Sequence, residues 1–101
     1  MMDAIEPEAL AAIRLLPTNE GGREQPFLPP HFTCPLQFGS EMFTVRLYDS
    51  KPVAPGESFV AHLKFLAPEL VKPWLRPAVD FTLWEGRTIA IGKVMESIWS
   101  T

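Results

Sequence analysis

From Phe81 to Val94, apolar and polar residues alternate on either side of a short break, Glu85-Gly86-Arg87. Phe81 and Leu83 share one side and Thr82 and Trp84 the other, the period-2 pattern of a half-buried strand. Beyond the break, the β-branched Ile89 and Ile91 alternate with Ala90 and Gly92. The pattern predicts a hairpin with Gly86 at its corner, because glycine adopts positive φ without steric cost. Met42 to Asp49 alternates in the same way, with Phe43, Val45 and Leu47 facing one side and Thr44, Arg46 and Tyr48 the other. Ser58 to Leu66 is the clearest strand: Phe59, Ala61, Leu63 and Phe65 read as inward, His62 and Lys64 as outward.

The remaining segments supply two more strands and the connections. Ala11 to Leu16 is a strand stopped by Pro17, and Pro29-Pro30 leads in extended form into a strand from His31 to Phe38. Thr18 to Pro26 is a polar loop with paired glycines. Val53-Ala54-Pro55-Gly56-Glu57 places Pro and Gly where a type II turn needs them. Pro68 to Pro77 is a proline-bounded connection carrying Leu70, Val71, Trp74 and Leu75. Residues 1–10 read as a lead-in, either a helical turn or disordered, and Met95 to Thr101 as a short tail. Six short strands separated by turn signals indicate an all-β antiparallel barrel or sandwich, and a barrel is preferred because closure removes exposed edges.

Composition narrows the function. At 101 residues the chain holds one core. Its 11 prolines, roughly double the usual ~5% frequency, exclude long helices. A net charge of −3 argues against a general binder of nucleic acid or anionic membrane. One cysteine forbids an internal disulfide, and no apolar run approaches the ~20 residues of a membrane span. With an acidic N-terminus unlike a signal peptide, these features predict a cytoplasmic protein.

Three segments carry a resemblance. Leu15 to Phe27, with Glu20-Gly21-Gly22-Arg23 and then Pro26-Phe27, resembles the opening of the C-terminal (third) domain of the elongation factor Tu and elongation factor 1-alpha family. Val53 to Glu57 is similar to that family's Val-x-Pro-Gly-Asp/Glu turn. Glu85 to Gly92 resembles its terminal Glu-Gly-Gly-Arg-Thr-Val-x-x-Gly hairpin, one glycine shorter. The likeness covers residues 11–96 and implies a six-stranded Greek-key barrel, in agreement with the alternation, standing free of the factor's nucleotide domain and followed by a tail at 97–101.

The resemblance does not bring a GTPase. The nearest phosphate-loop candidate, Gly86 to Lys93, is one residue too long, has Val94 where Ser or Thr would bind magnesium, and lies in a hairpin. No cofactor, metal or nucleotide is expected. In the family the barrel contacts the T-stem of aminoacyl-tRNA, and Arg23 and Gly86 correspond to two of the contacting positions. Glu24 stands where a His is usual, Ala67 where a Lys is usual, and Met42-Phe43 near a usual Thr-Gly. A carboxylate in place of a base repels phosphate, so tRNA binding of the family's kind is disfavoured.

Other candidate groups have plain structural readings. His31 and Cys34 lack the second pair a zinc site needs. His62 points outward with no nucleophile–orienter set around it. Asp3, Glu6 and Glu8 read as a solvated tail, and Glu69, Asp80 and Glu85 are too scattered for acid–base work. Trp74 is core or rim. Trp84 is either an interface anchor beside Arg87 or a cap over a barrel end. The resulting expectation is a non-enzymatic, protein-binding barrel linked to translation, with Arg23, Trp84, Gly86 and Arg87 as partner-binding residues. The alternative is an RNA-binding barrel with a local patch of Arg14, Arg23 and Arg87.

Overall fold

The strands bury alternate side chains, with an interruption in the last of them, and six such strands close the sheet on itself. The computed structural model describes residues 7–22, 25–28, 31–48 and 51–98. The strands are β1 (Ala9–Leu15), β2 (His31–Phe38), β3 (Glu41–Tyr48), β4 (Ser58–Phe65), β5 (Asp80–Trp84) and β6 (Thr88–Ser97). Between β4 and β5 lies a one-turn helix, α1 (Pro68–Val71), followed by a 3-10 turn at Lys72–Trp74. All neighbouring strands are antiparallel and form a closed barrel in the order β1-β4-β3-β2-β5-β6. The meander β2-β3-β4 with β1 returning beside β4 is a Greek key.

Phe38 organises one end of the core. Phe81 meets it edge-on at 5.8 Å, and the half-buried Trp74 stacks on it at 5.6 Å and 2°. Trp74 therefore covers the barrel at the β2–β3 hairpin, where its ring also lies against Gly39. Ile13, Leu36, Val45, Leu63 and Leu83 fill the interior, each side chain contributing ~1.5–3 kcal/mol by leaving water. The Pro55-Gly56 turn forms as expected: Gly56 has φ +93° and the Glu57 N–H donates to the Ala54 carbonyl at 3.0 Å.

Three readings change. The alternation after the hairpin turn is broken by a bulge: Leu83 faces Ala90 but Trp84 faces Thr88, so Ile89 is an extra residue. Ile89 and Ala90 are both buried, and Ile91 turns outward, 45% exposed. The first strand starts at Ala9, inside the stretch read as lead-in, and the last runs to Ser97. Glu8 is not part of a solvated tail. It is buried, accepting the Phe65 N–H at 2.7 Å and the Lys64 ammonium at 2.7 Å, while its backbone bonds Leu63 and Ile98. Its carboxylate satisfies a backbone donor at the end of β4, beyond the start of β1.

Candidate functional site

The three segments singled out in the sequence meet at one end of the barrel. Leu15 exchanges hydrogen bonds with the Pro55-Gly56 turn, its N–H donating to Glu57 at 2.9 Å and its carbonyl accepting from Gly56 at 2.8 Å. The Leu16 N–H donates to the Ile89 carbonyl at 2.9 Å. Across this junction the Arg87 guanidinium donates to the carbonyls of Gly21 and Gly22, the latter at 3.1 Å. Only glycine fits at 22, because a Cβ there would come within 2.0 Å of the Leu16 carbonyl oxygen. Arg87 thus ties the glycine loop to the hairpin turn. Arg23 and Glu24, the next residues, lie outside the described residues.

Trp84 points outward at 38% exposure, so it does not cap the barrel; Trp74 does that. Gly86 forms the tip of the turn with φ +75° and open space around it. Arg14 lies 3.9 Å from Glu20. The arginines proposed for an RNA patch are therefore engaged within the fold at two of their three positions.

Beside Trp84 runs a feature the sequence did not reveal. A groove of about 1060 Å³ crosses the outer surface of β4, β1, β6 and β5. Register builds it: Ala12 lies opposite Val60 on β4 and Lys93 on β6, and Ile91 lies opposite Arg14 on β1 and Thr82 on β5. Ala12, Val60 and Ile91 give it an apolar floor, with Val60 50% exposed. Arg14, Lys93 and Asp80 supply its charges, and Lys93 pairs with Asp80 at 3.2 Å. Trp84 is not itself part of the lining, but it lies opposite Thr88 in register, and Thr88 is. The available signal was apolar residues at outward positions, but Ile91 was hidden by the bulge.

The remaining candidates do not assemble. His31 is exposed, its ring 5.7 Å from Tyr48, while Cys34 is buried. His62 is exposed on β4, opposite Tyr48. Among the described residues no group of three His, Cys, Asp or Glu side chains is placed to hold a metal ion. Ala67 is exposed just before α1, Met42 is exposed and Phe43 packs on the core. No helix among the described residues is long and apolar enough to cross a membrane. No protein-family model matches the chain, and no curated protein matches it.

Proposed function

We propose that this protein is a non-enzymatic interaction module, related to the C-terminal domain of elongation factor Tu, that binds a protein of the translation apparatus. The observation that carries this reading is the groove floored by Ala12, Val60 and Ile91, with the exposed Trp84 opposite Thr88 of its lining. The barrel interior is already filled by its own side chains, so these outward apolar residues do nothing for the core. An apolar floor, an aromatic anchor and a charged rim match the anatomy of a protein interface. The translation link rests on the resemblance of the three segments that converge beside this surface. The RNA reading is weaker, because Arg14 faces Glu20 and Arg87 is bonded to loop carbonyls.

The test is affinity capture from a nuclease-treated translation extract, comparing the native protein with Trp84→Ala and Ile91→Asp. The expected result is a translation protein retained by the native chain, insensitive to moderate salt, and lost with either variant. Retention unaffected by both variants overturns the reading. Capture that disappears on nuclease treatment and falls steeply with salt favours the RNA alternative.

A further inference from the structure

Register also orders the charges of the groove. Its centre is a square of four outward residues on β1 and β6, with Ala12 opposite Lys93 and Arg14 opposite Ile91. One diagonal of the square is apolar, Ala12 to Ile91, and the other is cationic, Arg14 to Lys93. Diagonal neighbours on paired strands lie ~7–8 Å apart, a span that long side chains close, so both cations can converge on one anion between them. Val60, opposite Ala12 on β4, extends the apolar ground on one side of that point, and Ile91 holds the other side. Both cations have partners within the fold, and neither partner is firm. Arg14 lies 3.9 Å from Glu20, whose side chain is 55% exposed, and Lys93 lies 3.2 Å from Asp80, which is 77% exposed. Pairs this open to water are weak and exchange one carboxylate for another. The groove also inverts the sign of the chain. Its lining carries Arg14 and Lys93 against Asp80, whereas the whole sequence has 9 Lys and Arg against 12 Asp and Glu.

Resting on the reading of this groove as a protein interface, we propose that it takes a segment of the partner in which one Asp or Glu is flanked by apolar side chains. The carboxylate sits between Arg14 and Lys93. One apolar side chain lies on Val60 and Ala12, the other on Ile91. Covering the floor excludes water from the new ion pairs and strengthens them. The apolar floor also separates this occupant from a nucleic acid, whose backbone brings a charge at every unit and no aliphatic side chain. Asp80 repels a run of acids, and so limits the match to a single carboxylate.

The test is a titration of nitrogen-15-labelled protein with the peptide Leu-Ser-Glu-Ser-Leu, capped at both ends, and with its Gln and Lys counterparts. In an extended peptide this spacing puts Leu, Glu and Leu on one face. Amide chemical shifts are followed to ~5 mM peptide, which covers the millimolar affinity of so small a ligand. The Glu peptide should shift Ala12, Val60 and Ile91 and bind ~10-fold or more tightly than the Gln peptide. Arg14→Gln and Lys93→Gln should each reduce that preference, and Lys93→Glu should turn it toward the Lys peptide. Equal binding of the Glu and Gln peptides overturns the proposal, as do shifts that map elsewhere or no shifts at all. So does a ~12-nucleotide oligouridine that produces the same shifts at lower concentration. Shifts at these residues that grow with protein concentration alone would put a second copy in the groove, and also overturn it. Capture from the translation extract is a separate result. A translation protein retained equally by the native chain and by Lys93→Glu keeps the interface and refutes the acidic segment. Selective binding of the Glu peptide with no translation protein captured keeps the acidic segment and refutes the translation partner.

Discussion

The ring of Phe81 lies where a side chain at residue 92 would have to stand. A Cβ on Gly92 would come within 2.4 Å of Phe81 Cζ, and the two residues face each other across β5 and β6. The missing side chain is what allows the ring to lie flat into the core and meet Phe38 at 5.8 Å. Gly92→Ala should therefore overpack the hairpin and lower stability by about 1–3 kcal/mol. Urea denaturation of the variant checks this. A loss below ~0.5 kcal/mol would mean that the strands part without strain.

Glu8 makes a second prediction. Its carboxylate joins the Phe65 N–H and the Lys64 ammonium, both at 2.7 Å, in a buried position. Glu8→Ala removes a charge-assisted bond and orphans a buried N–H, which should cost about 2–3 kcal/mol. Glu8→Gln keeps an acceptor for Phe65 and gives up only the ion pair to Lys64, whose side chain is 39% exposed and so partly screened. Chemical denaturation should rank the Gln variant well above the Ala variant. Equal losses would place the energy in the ion pair instead.

These two sites mark where local sequence stops being informative. Inward parity in Phe43-Val45-Leu47, Phe59 to Phe65 and Phe81-Leu83 is written in nearest neighbours, because the strand period is exactly two residues and one face must leave water. The barrel follows from it. Ile91 breaks the rule because one inserted residue, Ile89, reverses the parity of the residues from Ala90 to Val94, and no local composition marks that insertion. Glu8 sits among acidic residues that resemble a tail, and its partners lie 56 and 57 residues later. Trp84 could be placed on the outer surface from its own strand. The groove beside it could not, since Ala12, Val60 and Ile91 become neighbours only through register.

Ala78 has φ +70°, a left-handed conformation that crowds an L side chain. The turn is held by the Ala78 N–H donating to the Val94 carbonyl at 2.8 Å, and the side chain is exposed. Glycine adopts this conformation without the crowding but loses more backbone freedom on folding. The steric relief of ~1–2 kcal/mol exceeds that entropy, so Ala78→Gly should raise stability by about 0.5–1 kcal/mol. Thermal unfolding measures it, and a lowered melting temperature would show that the entropy term wins.

Trp84 and Arg87 stand close in sequence, yet one side chain is exposed and the other is bonded to the glycine loop, and single variants should separate the two. Arg87 reaches back to the carbonyls of Gly21 and Gly22, more than 60 residues earlier by its 65- and 66-residue separations. Arg87→Ala should release that loop, costing about 1 kcal/mol because the side chain is exposed, and should speed hydrogen exchange around Gly21 and Gly22. Trp84 faces outward, opposite Thr88 of the groove lining. Trp84→Ala should leave the melting curve nearly unchanged while weakening the protein partner by more than ~2 kcal/mol, the scale of an interface anchor. A rigid indole loses few rotamers on binding, which is why its removal is felt in affinity more than in folding. Measuring both variants for stability, exchange and affinity decides the assignment. If Trp84→Ala lowers stability and spares binding, the indole belongs to the fold and the groove is not the interface.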